Sequence, residues 1–483
     1  MSIAERSSVE DIDSAGVARL AALIRRGELG AVELTERRLA DIERRAARTN
    51  AFVAVDREGA MAQAREADRA LARGLPVGPL HGVPIAVKDN VLTAGLGSSA
   101  ASAVLADAPL QGEAPLVARL RRAGAIVVAK TNMHEWAYGA TNKGSHHGAT
   151  RNPWDPRAIT GGSSGGSAAC VADGLLPLAI GTDTGGSIRI PAAACGISGI
   201  KPGTGRIEGE GVLPLAWSFD AAGPMARSAE DLWLGLDAMW PGAAGDSSRH
   251  AAQFRAARGR ARLRIGVLVG EGFETAPDVG RAFEAALEVF GQRGSELVPV
   301  PVRGMAAVFA AWKAIMYAEA STFHRPLMHD RARHYAPDVR ALLHAGESVS
   351  AVDYLAAQQF RGAFCAAFAR DMAGLDALVL PTLPVTAPPL AESRIEFAGR
   401  TTTVQDAMTA MPCLANFTGL PAVSLPCGFG DTGLPVGLTL IGHPGGEFAL
   451  LGLAAAFQDD TAWHAMRPGH AMAMGQEEGT HVR

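Results

Sequence analysis

The chain predicts an α/β protein built round a largely buried sheet, and three observations predict it. Short apolar runs rich in β-branched residues, at residues 84–88, 125–129 and 176–180, have no polar alternation and read as strands covered on both faces. Segments with apolar residues at helical spacing separate those runs, which is the order of an α/β fold. The 483 residues are 48% hydrophobic and 19% charged, the composition of a soluble globular protein with a large core.

The elements follow in order. Ser14 is placed to cap a helix whose apolar face carries Val17, Leu20, Ala21 and Ile24, and Gly27 is placed to stop it. Val32, Leu39, Ile42 and Ala46 continue at helical spacing, with Arg37, Arg38, Arg44 and Arg45 mostly off that stripe on a solvated face. From about residue 76 the pattern changes: Pro79, Gly82 and Pro84 lead into the strand 84–88. A helix over 115–124 precedes the strand 125–129, another strand reads at 176–180, and a short helix starts after Ser187. Residues 224–245 read as a helix running into a loop rich in Gly, Ala and Ser. A strand follows at 263–269, helices over 279–290 and 305–372, and strands at 377–381, 422–426 and 435–441. No internal repeat and no polar linker divides the chain. The expectation is one large domain, with a helical arm over residues 1–70 and an α/β core over 71–483.

Composition narrows the function. The net charge of −4 and pI of about 6.4 give no basic surplus for nucleic acid or an anionic membrane. The first six residues lack the apolar core of a secretory signal, and apolar runs end well short of the ~20 residues of a spanning helix. A cytoplasmic location follows as the expectation. Cys170, Cys195, Cys365, Cys413 and Cys427 are odd in number and lack C-x-x-C spacing, against a disulfide framework or a zinc site. His146-His147 has no third ligand at metal-binding spacing. Neither metal nor cofactor is expected.

The stretch with most chemical content lies between Gly161 and Pro191. It holds two glycine-serine turns, Gly161-Gly162-Ser163-Ser164-Gly165-Gly166-Ser167 and Gly181-Thr182-Asp183-Thr184-Gly185-Gly186-Ser187, followed by Ile188-Arg189-Ile190-Pro191. Such turns put hydroxyls beside thinly covered backbone and aim amide N–H groups at one point, which suits an oxyanion. Ser187 sits between a strand and a helix, as a nucleophile would and as a helix N-cap would. Lys88 ends an apolar strand; buried there it becomes a neutral base, and turned outward it is only a strand-end lysine. Ser163 and Ser164 offer a second hydroxyl, and spacing does not choose between them. Asp183 and Arg189 flank the Ser187 turn as positioning groups. Gly161 to Gly165 matches Gly-x-Ser-x-Gly, but Pro153 and Pro156 in the lead-in replace the buried strand that a nucleophile elbow needs.

Taken together, these blocks resemble the amidase signature family. The matching segments are 82–89, 161–169 and 181–192, supported by 131–135, 151–155, 199–202, 419–422 and 433–438, so the resemblance spans nearly the whole chain. It implies one domain with a mixed central sheet sandwiched by helices. It implies a triad of Ser187, Ser163 and Lys88, with Ser163 following a cis peptide, and an oxyanion hole from the backbone of Thr184, Gly185, Gly186 and Ser187. It also implies a cofactor-free serine hydrolase of linear C–N bonds (amide, anilide, carbamate or urethane, with some ester cleavage). The partner expected is an amide or carbamate substrate, with no nucleic acid and no membrane, and the protein acts as a monomer or homodimer. The alternative is a glutamine-hydrolysing amidotransferase subunit of a tRNA-dependent complex. The resembling subunits tend to carry an Asp where this chain has Thr409, ahead of Asn416 to Pro421. The substrate pocket is expected from residues 133–141, 205–220 and the helices of 305–370. Trp136, Trp217, Phe219, Phe309 and Trp312 there suit an apolar substrate or a packed core equally well.

Overall fold

Buried parallel strands organise the molecule. The computed structural model describes residues 12–242 and 246–469. Its strands are β1 (Phe52–Val55), β2 (Pro84–Lys88), β3 (Ile126–Thr131), β4 (Leu178–Asp183), β5 (Ser198–Lys201), β6 (Ala221–Ala226), β7 (Arg264–Val269), β8 (Glu296–Pro301), β9 (Ala377–Pro381), β10 (Arg394–Phe397), β11 (Arg400–Thr403), β12 (Ala422–Phe429) and β13 (Pro435–Ile441). Eleven of them form one sheet in the order β1-β3-β2-β4-β6-β5-β12-β13-β9-β7-β8, and β10 and β11 form a separate hairpin. The sheet is mixed. β2 runs parallel to β3 and β4, β4 and β6 are antiparallel, and β7 is parallel to β8 and β9. Every residue of β2, β3, β4 and β9 is buried, which is why their sequences are continuous apolar runs without alternation.

Helices cover the sheet, as the α/β reading requires. The N-terminal segment is tied in by burial: Val17, Leu20, Ala21 and Ile24 are fully buried and share one apolar cluster with Ile85, Val87, Leu178 and Ile180. β1 adds an antiparallel edge strand against β3. The first of these helices, Val17–Arg25, does not take its cap from Ser14. Gly16 is the N-cap residue, and the N–H of Ala18 donates instead to Asp231 Oδ1 at 2.9 Å, from 213 residues away.

Other boundaries depart from the sequence pattern for local reasons. Residues 221–226 are a fully buried strand and not the start of a helix, despite Gly223 and Pro224. The helix begins at Ala229, where the Ser228 side chain accepts from the N–H of Asp231. The helical stretch 305–372 is three helices, Met305–Arg331, Pro337–Glu347 and Ala351–Asp371, the latter two started by Pro337 and by the Ser350 cap. No helix among the described residues is long and apolar enough to cross a membrane.

Candidate active site

Parallel pairing brings the first two site elements together. Val87 of β2 is in register with Ile180 of β4, so both strands end on one side of the sheet, the place where open α/β sheets present their sites. Lys88 is therefore beside Thr182. Its Nζ donates to Ser163 Oγ at 2.7 Å and to Thr182 Oγ1 at 2.7 Å. The side chain is fully buried, which excludes the strand-end lysine reaching solvent. Burial pushes its pKa down to about 7, against the opposing charges of Asp183 and Asp220.

The two serines of the first turn part company. Ser163 follows a cis peptide bond from Gly162 and meets Lys88. Ser164 faces β4, donating to Thr182 O at 3.1 Å and accepting from Thr182 N at 3.3 Å. Main-chain bonds fix the turn on both sides: His134 N donates to Ser163 O at 3.1 Å, and Ser164 N to Ser187 O at 3.2 Å. The second turn thus sits directly against the first. The helix Arg189–Ala194 has Ile188 as its N-cap residue, so the hydroxyl of Ser187 caps nothing. Among the described residues that hydroxyl has no hydrogen-bond partner, and no side-chain bond joins it to Ser163. Ser187 retains 7% of its surface open.

Asp183 holds the Ser187 turn in shape. Its carboxylate accepts from Gly186 N at 2.8 Å, Ile188 N at 3.1 Å, Arg189 Nε at 3.0 Å and Nη2 at 3.1 Å, and Asn416 Nδ2 at 2.8 Å. Burial raises its pKa, but Arg189, Lys201 and Asn416 outweigh that and leave it at about 2. Arg189 is itself buried and reaches Pro412 O at 2.8 Å and Asn416 Oδ1 at 2.7 Å. Because Gly186 N is engaged by Asp183, the backbone N–H groups of Thr184, Gly185 and Ser187 are the ones without a protein acceptor among the described residues. Glycine is required twice here. Gly186 has φ 119°, and a Cβ on Gly185 would fall 2.2 Å from Trp312 Cζ2. Trp312 also donates from Nε1 to Thr184 O at 3.1 Å.

A recess of about 440 Å³ opens beside this turn and is lined by Asn90, Thr182, Thr184, Trp217 and Asp220 among others. It includes much of 205–220 and, of residues 133–141, only Ala137, while the helices of 305–370, also expected there, line none of it. The aromatics divide: Trp217 lines the recess and is 52% exposed, Trp312 clamps the turn, and Trp136 is buried against His324. Phe309 lies on a different cavity, and Phe219 is buried under Arg361. Thr182 and Asp220 carry no sequence signal beyond lying near the turn, and Asn90 none beyond following Lys88-Asp89. Asn416 can be found only through its block. His146 and His147 pack edge to face in a loop, and no group of three His, Cys, Asp or Glu among the described residues could hold a metal.

Comparisons with known proteins bear on the family and the fold. The model of the family described as Amidase matches residues 33–451. The chain is 40% identical to a glutamyl-tRNA(Gln) amidotransferase subunit from Cupriavidus necator, over 92% of this chain and 96% of that one. It superposes with a TM-score of 0.86 on a chain of a vestigial protein complex bearing on the origins of an s-triazine catabolic enzyme, at 32% identity over 92% and 98% of the two chains. It superposes on 6-aminohexanoate cyclic dimer hydrolase with a TM-score of 0.83, at 27% identity over 95% and 99%. The first of these corrects the expectation of a monomer or homodimer that meets only an amide or carbamate. That relative, alike over nearly its whole length, is named as one subunit of an amidotransferase, so the expectation of a lone monomer or homodimer does not stand.

Proposed function

Because the chain belongs to the amidase signature family, whose enzymes act on C–N bonds, we propose that it hydrolyses a carboxamide through an acyl-enzyme on Ser187. The observation that carries this reading is the buried Lys88 Nζ held 2.7 Å from Ser163 Oγ, with a pKa brought down to about 7. Neutral Lys88 takes the proton of Ser163, and Ser163 takes that of Ser187. Ser187 Oγ then attacks the carbonyl carbon. The unengaged N–H groups of Thr184, Gly185 and Ser187 receive the oxyanion, each worth about 3 kcal/mol of barrier by analogy with oxyanion donors elsewhere. Ser163 returns a proton to the departing nitrogen, without which an amine leaves poorly. Water repeats the sequence and frees the acid. Asp183 and Arg189 act as positioning residues by fixing Gly186, Ile188 and Pro412. The test is hydrolysis of an amide panel, carbamates included, by wild type, Ser187→Ala and Lys88→Ala, with mass spectrometry for a covalent acyl adduct on Ser187. Turnover by Ser187→Ala at the wild-type rate ends the reading.

A second reading shares this chemistry and is the one the sequence relatives favour: the amide is glutamine, and the chain works as one component of a tRNA-dependent amidotransferase. Thr409, a neutral residue whose Oγ1 donates to Gln405 O at 2.8 Å, stands where resembling subunits tend to place an Asp. Glutaminase activity together with co-purifying protein partners from the native host would establish this second reading, and a chain that hydrolyses other amides but not glutamine would dismiss it.

A further inference from the structure

The recess beside the turn has a direction. Thr182, whose hydroxyl accepts from Lys88 Nζ, lines it, and Lys88 in turn holds Ser163. In the proposed mechanism Ser163 is the group that protonates the departing nitrogen, so the space next to the Lys88–Ser163 pair is where the amine half of a substrate lies. The walls of that space are Ile207, Val212, Leu213, Leu215 and the half-exposed Trp217. Its charged groups are already committed. Glu208 pairs with Arg119 at 2.8 Å, and Asp220 accepts from Thr184 Oγ1 at 2.5 Å and from Leu215 N at 3.0 Å. The wall is pinned in place: Leu213 N donates to Asn90 O and Leu92 N to Gly211 O, both at 2.8 Å.

Two buried side-chain polar atoms in this lining are uncommitted among the described residues, Thr204 Oγ1 and Asn90 Oδ1, and Asn90 is the one that touches Thr182. Asn90 is 2% exposed, and its Nδ2 donates to Thr182 Oγ1 and to Leu213 O, both at 3.2 Å. A carbonyl oxygen only accepts, so the Leu213 contact fixes which end of the Asn90 amide is which. That leaves Asn90 Oδ1 buried without a partner among the described residues. A buried acceptor without a donor is unfavourable until a ligand supplies one.

We infer that this recess is an amine-side subsite for N-substituted amides, in which an apolar alkyl or aryl substituent fills the walls and the substrate N–H donates to Asn90 Oδ1. The inference rests on the acyl-enzyme reading above, and it separates the two substrate readings, since a primary amide such as glutamine releases ammonia and leaves the walls unfilled. Remote apolar contacts of this kind raise kcat/KM by holding the reacting bond in place.

The experiment pairs two substrates with the same acyl group, a primary amide and its N-benzyl counterpart, whose leaving amines differ little in intrinsic reactivity. Wild type is expected to prefer the N-benzyl amide by roughly tenfold or more in kcat/KM, the scale of burying one ring. Gly209 is an exposed residue of the recess lining, and a Cβ there meets nothing within 4 Å, so Gly209→Phe adds a ring at the recess without displacing backbone. It is expected to abolish the preference by lowering the N-benzyl amide rate far more than the primary amide rate. Asn90→Leu is expected to cut the N-benzyl amide rate at least several-fold more than the rate on an N-methyl-N-benzyl amide, which has no N–H to donate, and equal losses on the two would show that Asn90 acts only through Thr182 and Lys88. Equal rates on the two amides in wild type, or a preference that survives Gly209→Phe, overturns the subsite. Failure of the acyl-enzyme reading looks different, because Ser187→Ala would then retain turnover on both substrates.

Discussion

Lys88 Nζ lies 2.7 Å from Ser163 Oγ with no part of the lysine open to water. In the proposed mechanism that relationship lets the amine act as a base near neutrality. Burial lowers its pKa to about 7, and the neutral form has the lone pair that accepts a proton. kcat/KM is therefore expected to climb as pH rises through about 7 and then to level off. Lys88→Arg, charged at every pH used, is expected to lose at least about a hundredfold. A profile that stays flat from about pH 6 to about pH 9 in the wild type would remove Lys88 from the proposed role.

The same burial works against folding. Lys88 titrates near the ordinary lysine value of 10.5 when unfolded and at about 7 when folded, so between those values the unfolded chain binds the extra proton. Stability should rise with pH across that window and be lowest, for this group, at and below about 7. Lys88→Met is expected to stabilise the protein at neutral pH by an amount on the order of a few kcal/mol, and by much less near pH ~10. Denaturant unfolding of both proteins at the two pH values measures the difference. A destabilised Lys88→Met at neutral pH would mean that the hydrogen bonds to Ser163 and Thr182 outweigh desolvation.

Trp312 and Gly185 leave no room between them for a methyl group, since the added Cβ would lie 2.2 Å from Trp312 Cζ2. Gly185→Ala must then displace either the indole or the turn that presents the N–H groups of Thr184 and Ser187. A loss of about a hundredfold in kcat/KM is expected, the effect of moving a reacting group by about an ångström. Trp312→Phe, which takes away Cζ2, is expected to return part of that activity in the double variant, so the two changes are non-additive. Additive losses would show that the indole does not set the position of the turn.

Much of this site is legible in the sequence because its segments are short and local. The run from Pro84 to Lys88 reads as a buried strand with a lysine at its end, and the two glycine-serine turns announce themselves. What stays hidden depends on contacts across the chain. Thr182 matters only because β2 and β4 lie in parallel register, and Asn416 only because it meets Asp183, 233 residues earlier. Family resemblance alone chooses Ser163 over Ser164, since both serines share one turn and only the third dimension sends one to Lys88 and the other to β4. The cap on the first helix escapes a local reading for the same reason, because Asp231 approaches Ala18 from far along the sequence. β6 is hidden because burial and pairing to β4 override the poor strand propensity of Gly223 and Pro224.

Lys130 is the natural control for Lys88. It too is fully buried, and burial brings its pKa down to about 8 against the charge of Asp89. Its partners differ in kind, however. Nζ donates to Val91 O, to Ser98 Oγ at 2.7 Å and to Thr93 Oγ1 at 3.4 Å, none of them in the glycine-serine turns. These bonds steady the segment around Val91, which bridges Val212 in the wall of the recess. Lys130→Met takes the Nζ donor from Ser98 Oγ and Thr93 Oγ1, a loss of about 1–3 kcal/mol each where they stay unsatisfied, while Val91 O keeps the Thr93 and Ser98 hydroxyls; the change is expected to raise KM for substrates that use the recess. The limb of the pH profile near 7 should remain where it is, because Lys88 still titrates. If that limb instead vanishes in Lys130→Met and survives in a still-active Lys88 variant, the proton acceptor of this site is Lys130.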